Sequence, residues 1–183
     1  MRKTCITFLI VAIIILSGIG LILAENKPRT EYLRIHIRAN SNLEDEQAVK
    51  YLVKDAVVSY LTPYIAECNT KEKAQNMLKE QLFAVEEVAD SILEFNGFDY
   101  KSNAEIRVEK FPTRKYDDFT LDAGFYDALI IELGSGEGDN WWCVVYPPLC
   151  FTGQGSSYQY KSKIREIIDD FIKKEKIYNE KDC

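Results

Sequence analysis

GSGEGDNWWCVVYPPLCFTG, residues 134 to 153, gathers both tryptophans, two of the five cysteines and two of the five prolines of the chain into twenty residues. Its first third, Gly134 to Asn140, is made of small and Asx residues that tolerate positive φ, and it lies between two apolar runs, so it reads as a hairpin loop. The following run, Trp141 to Tyr146, is continuous rather than alternating. That marks a strand covered on both faces, which Pro147-Pro148 must end for want of amide donors. Cys150 lies just past the stop, and a turn through Tyr146-Pro-Pro-Leu149 would bring it back within bridging distance of Cys143.

Working upstream, Tyr126 to Leu133 is a second apolar strand. Ala104, Ile106 and Val108 alternate with Glu105, Arg107 and Glu109, and Leu33, Ile35 and Ile37 alternate with Arg34, His36 and Arg38. Both patterns have the period of a half-buried strand, and they place His36, the one histidine, on a polar face. Ser41 to Glu44 has the form of a capping box, and helical spacing runs from Val49 through Leu52, Val53, Ala56, Val57, Tyr60 and Leu61 to Pro63. A second start at Asn69 to Glu72 leads into a stripe from Ala74 to Leu93, closed by Gly97. After the Gly/Ser connector at 153 to 157, Ile164, Ile167, Ile168, Phe171 and Ile172 form a last amphipathic helix. The order β-α-α-β-β-β-α predicts an α+β fold: a four-stranded, mostly antiparallel sheet with helices packed on it. Strands two to four are expected as an antiparallel meander, with strand one placed by the helix pair.

Met1 to Thr4 carries two positive charges, and Cys5 to Ala24 is twenty residues without a charge, the pattern of an export segment. Twenty apolar residues also suffice to span a bilayer, so residues 1–24 are a signal peptide or an uncleaved anchor. Residues 25–31 then read as a polar tether, 32–175 as a single exported domain and 176–183 as a frayed tail. Removing Arg2 and Lys3 from the 23 basic residues leaves 21 against 29 acidic ones, a charge of −8. Such a surface argues against nucleic acid and anionic lipid as partners, leaving membrane contact to the N-terminal segment.

Few residues offer chemistry. Cys143-x6-Cys150 fits neither zinc nor Cys-x-x-Cys redox spacing, and points instead to a structural bridge or two buried thiols. A thiol oxidoreductase on that pair is a remote alternative. Asp117, Asp118 and Asp122 do not follow a calcium-loop spacing, so no metal and no other cofactor is expected. His36 is the only imidazole for a nucleophile to use, and paired carboxylates arise by chance among 29 acids, so no catalytic residue is assigned. A binding surface is the better reading. Its candidates are Glu137, Asp139 and Asn140 in the loop with Trp141 and Trp142, whose side chains leave opposite faces of one strand.

The string NWWCVVYPPLCF, with Tyr126-Asp-Ala-Leu129, Leu33-Arg-Ile-His-Ile-Arg-Ala-Asn-Ser41 and Phe111-Pro-Thr-Arg114, resembles the stage II sporulation protein R family, over roughly residues 30 to 172. The resemblance implies a secreted, non-catalytic signal of endospore formers. Such a signal is made in the forespore and exported to the space between the forespore and mother-cell membranes. There it activates a membrane-embedded aspartic protease that processes the precursor of a mother-cell sigma factor. The alternative is an exported peptidoglycan-binding protein or hydrolase, using the acids and tryptophans.

Overall fold

A computed structural model describes residues 29–116, 119–151 and 164–174. The segment read as an export signal, the Gly/Ser connector and the C-terminal tail lie outside the described residues. The chain runs β1 (Arg29–Arg38), α1 (Glu44–Ile65), α2 (Lys71–Phe95), β2 (Ser102–Phe111), β3 (Arg114–Tyr116), β4 (Phe119–Leu121), β5 (Gly124–Leu133) and β6 (Asn140–Tyr146). A short 3-10 turn (Leu149–Phe151) and a final helix, α3 (164–174), complete it. Because β1 begins at Arg29, residues 29–31 are strand rather than the end of a tether.

The four long strands make the expected α+β sheet, but in the order β2-β5-β1-β6. β5 pairs antiparallel with β2 and parallel with β1, and β6 pairs antiparallel with β1. No meander forms, because β1 lies between β5 and β6. The stretch from Gly134 to Asp139 is therefore not a hairpin loop: it carries the chain across the end of β1, donating from Gly138 N to Ala39 O at 2.8 Å. The small β3/β4 hairpin is a separate two-stranded sheet in the connection from β2 to β5.

Side chains on a strand alternate between faces, so β1 sends Leu33, Ile35 and Ile37 to one side and Arg34, His36 and Arg38 to the other. The first set joins Val53, Val57 and Leu61 of α1, Leu78, Val85 and Leu93 of α2, and Leu129 and Ile131 of β5 in the main core. Ile164 of α3 is buried in the same core, with Ile167, Ile168 and Phe171 packed against it. Behind the sheet a smaller core unites Tyr32, Phe111, Leu121, Tyr126, Ala128, Ile130 and Val144.

The helix ends show what local signals can and cannot specify. Thr70, not Asn69, caps α2, its hydroxyl accepting from Lys73 N at 3.2 Å, while Gly97 at φ +84° closes that helix as expected. α1 starts at Glu44 behind Leu43, with no side-chain cap, because the Ser41 hydroxyl accepts from Leu43 N instead. Pro63 sits inside the last turn, which runs on to Ile65. At the other end of β6 the Tyr146–Pro147 peptide is cis, and Leu149 N donates to Pro147 O at 2.8 Å. The chain turns back there. Cys143 and Cys150 are joined by a disulfide with their Cα atoms 6.3 Å apart, and Cys68 is a buried free thiol.

Candidate functional site

The four separated strings quoted above converge on the sheet face away from α1 and α2. The alternation that places Ile35 and Ile37 in the main core obliges Arg34, His36 and Arg38 to face the other way, where β2, β6 and the β3/β4 hairpin meet them. Neither His36 nor Arg34 is the surface residue that a polar strand face suggests: their exposures are 3% and 0%.

His36 is held on both ring nitrogens. Nδ1 contacts Glu109 Oε1 at 2.8 Å, Nε2 contacts Asn140 Oδ1 at 2.7 Å, and the ring stacks on Trp142 with centroids 5.3 Å apart. A carboxylate requires a proton on Nδ1, whereas an amide can present its oxygen or, turned over, its NH2, so Asn140 suits the charged and the neutral ring alike. Glu109 also accepts from Arg38 Nη2 at 2.5 Å and from Arg107 Nε at 3.0 Å. Glu132 takes Arg38 Nη1 at 2.7 Å and Arg107 Nη2 at 3.0 Å. The result is a two-carboxylate, two-guanidinium lattice with the imidazole at its inner end.

Burial pushes the His36 imidazole below its ordinary value near 6.5; its hydrogen bond to Asn140 and the charge of Glu109 pull the other way and are outweighed. Burial pushes the Glu109 carboxyl up, but Arg107, His36 and Arg38 together overcome this and hold it below its ordinary 4.5. The signs give two windows. A depressed histidine pKa means that the unfolded chain takes up the proton first, so its contribution is full above about 6.5 and declines as pH falls towards the folded midpoint. The Glu109 contribution is present above about 4.5 and is lost only lower down. With one histidine in the chain, its ring C–H resonances report it directly by NMR. A midpoint below 6.5 is expected, and one at or above 6.5 would overturn this account.

Arg34 is the second unusual group. Its guanidinium carbon lies 4.1 Å from the Phe111 ring centroid, 5.0 Å from that of Tyr126 and 5.8 Å from that of Tyr116. Nη2 donates to the Tyr116 hydroxyl at 2.6 Å, while Nε and Nη1 have no hydrogen-bond partner among the described residues. Burial lowers its pKa, with Tyr116 and Tyr126 opposing. Arg114, from the hairpin, lies 4.1 Å over the Trp142 ring.

The loop candidates are spread around this centre. Asn140 and Trp142 are in it, whereas Glu137 and Asp139 are exposed at its rim. Trp141 is on the opposite face, half-buried against the main core with Lys54 Nζ 5.9 Å from its ring. The loop itself is pinned to the β1–α1 connection. Ser135 N donates to Asn40 Oδ1 at 2.8 Å, Ser135 Oγ to Asn40 O at 2.7 Å, and Asp139 N to Asn42 Oδ1 at 2.6 Å. Lys50, 1% exposed, donates to Asp139 O at 3.0 Å, and burial lowers its pKa against the pull of Asp139.

Sequence reasoning named neither Glu109 nor Tyr116 as a site residue. The available signal was the alternation of Arg34, His36 and Arg38 along one strand and of Glu105, Arg107 and Glu109 along another, which called for each other's company.

The family model for stage II sporulation protein R matches residues 29–156. Stage II sporulation protein R of Bacillus subtilis (strain 168) is 32% identical over 162 residues, covering 82% of this chain and 72% of that protein. No solved structure matches. The matched span contains the whole sheet, the helix pair and every residue of the His36 lattice, and on that footing the chain belongs to the stage II sporulation protein R family and has a role in sporulation.

Proposed function

We propose that the chain is an exported, non-catalytic signal of sporulation. It acts in the space between the forespore and mother-cell membranes and switches on, by binding, a membrane-embedded aspartic protease that processes the precursor of a mother-cell sigma factor. The observation that carries the binding reading is the loop Gly134 to Asn140. It is held from Asn40, Asn42 and Lys50 along its length, yet turns Glu137 and Asp139 to solvent. A loop ordered before it meets a partner loses little conformational entropy on contact. The histidine beside it spends both ring nitrogens on Glu109 and Asn140, which suits a structural role better than proton transfer to a substrate. A sugar-stacking role would need an open indole face, and Trp142 carries Arg114 on its ring and His36 stacked against it.

The test is a charge reversal that the fold can bear. Glu137→Lys changes an exposed side chain and should alter stability by no more than about 0.5 kcal/mol. Asp139→Lys would set a second cation beside buried Lys50, so Asp139→Asn is the cleaner partner variant. Reconstitution with the protease and its precursor substrate should show processing reduced by Glu137→Lys and more so by the double change. Unaltered processing in both, with the fold intact, would remove this loop from the contact.

A further inference from the structure

An edge strand with open amides and an apolar flank accepts another strand, so folded proteins cover most of their edges. The sheet ends in β6 on one side and β2 on the other. In β6, Cys143 to Tyr146 are buried. β2 is covered over its first half only, where Ser102 N donates to Asp90 Oδ1 and Ala104 N to Glu86 Oε1, both at 2.7 Å. Every second residue of an antiparallel strand turns its main-chain groups to the same side, and β2 pairs with β5 without a register shift. Ile106, Val108 and Lys110 therefore turn their amides away from β5 as Ser102 and Ala104 do. Those three amides have no acceptor among the described residues.

α2 runs along this edge in the opposite sense, with Asp90 at Ser102 and Glu86 at Ala104. One turn before Glu86, on the same side of the helix, it carries Phe83 instead of a carboxylate. Phe83 is 70% exposed and Val108 43%, with Ile106 half-buried against the main core. Exposed apolar side chains thus begin where the carboxylate caps stop.

We propose that a second copy of this chain docks on this edge, β2 against β2 and antiparallel, about a twofold axis at Val108 that joins the two sheets into one. Charge complementarity selects the occupant and its register. Glu105, Arg107 and Glu109 alternate along the other face of β2. An axis at Arg107 sets that cation against itself and Glu105 against Glu109, an axis at Glu109 sets two carboxylates together, and like charges directly opposite are destabilising. An axis at Ile106 needs the Ala104 amide, which Glu86 holds. With the axis at Val108, Arg107 of each copy faces Glu109 of the other, and all three open amides find carbonyls. Pro112, which has no amide, then falls opposite the capped Ala104. Residues 105 to 110 carry two acids and two bases, so the strand does not repel its copy locally, and the overall negative charge is screened beyond about 8 Å at physiological salt. The inference goes beyond the protease reading and does not depend on it, since its readout is self-association.

Sedimentation equilibrium of the full chain, in a detergent matched in density by the buffer, should give the mass of a dimer at micromolar concentration. V108P removes an amide that makes no bond within one copy, a position where an edge strand tolerates proline, so the variant should fold and be monomeric. F83S changes an exposed side chain and should raise the dissociation constant about tenfold. Thermal midpoints show whether each variant is folded. In a C5S/C183S background, V108C should oxidise to a linked dimer, because residues opposite each other in a hydrogen-bonded pair have Cα atoms about 5.5 Å apart. L52C, at a site 47% exposed on α1, should not. A monomeric parent overturns the proposal, including one whose β2 edge takes a strand from another protein. So does a dimer that folded V108P leaves intact, or V108C cross-linking no faster than L52C. If V108P unfolds, F83S and the cross-link decide: an F83S dimer as tight as the parent, with no V108C link, overturns it.

Discussion

Replacing Glu109 with alanine is expected to lower the unfolding free energy by about 3 kcal/mol, as a buried acceptor shared by several cations is removed. The carboxylate is 13% exposed and receives His36, Arg38 and Arg107. Arg38 and Arg107 keep Glu132, but the buried imidazole loses the carboxylate on its Nδ1. Glu105 provides the comparison. Among the described residues it pairs with Arg107 alone, and it is 44% exposed, so Glu105→Ala should cost well under about 1 kcal/mol. Urea titration of the two variants side by side checks the difference, and equal midpoints would mean that the lattice contributes no more than surface pairing.

A second large effect is expected from one methyl group. A Cβ added at Gly138 would lie 2.3 Å from Ser41 O and 2.6 Å from Ser41 C, which are backbone atoms that no rotamer change can move. The loop would have to lift from the end of β1, losing the Gly138 N to Ala39 O bond and the Asp139 N to Asn42 bond. Gly138→Ala should cost about 3 kcal/mol, at the upper end of overpacking. Gly97→Ala separates close approach from backbone preference. Its φ of +84° disfavours alanine, but nothing lies within 4 Å, so about 1 kcal/mol is expected there. Thermal denaturation of both decides the point, and a Gly138→Ala protein as stable as Gly97→Ala would mean that the loop is not docked.

The contrast between these sites shows what the sequence made legible. A period of two placed β1 and β2, continuous apolar runs placed β5 and β6, and a period of about four placed the helices, because each element reveals its buried face within a few residues. The pairing of those elements is not local. Nothing near Leu33 says that it will lie beside both Asp127 and Tyr146, so a meander looked natural although β1 occupies the middle of the sheet. The same gap explains His36. Alternation correctly put it on a polar face, but only the placement of β1 between two partners, with Phe111 and Trp142 closing over it, turns a polar face into a buried one. The candidate list found Asn140 and Trp142 because they are unusual residues in an unusual stretch. It missed Glu109 because a glutamate in a charged, alternating strand looks like ordinary solvent-facing residue.

The central position of β1 also bears on when the protein becomes competent. Its two neighbours are the last long strands among the described residues, so for a polypeptide delivered N terminus first β1 has no partner until β5 has followed it, and its second side stays open until Tyr146 has. The helix hairpin can assemble early, with its apolar stripe uncovered, while the sheet waits for loop closures that span most of the domain. The Asn140 contact with His36, the Trp142 stack on that ring and the Arg114 contact with Trp142 all need β6. None of them exists in a partly delivered chain, and completion of the final strand therefore acts as the clock for the whole surface.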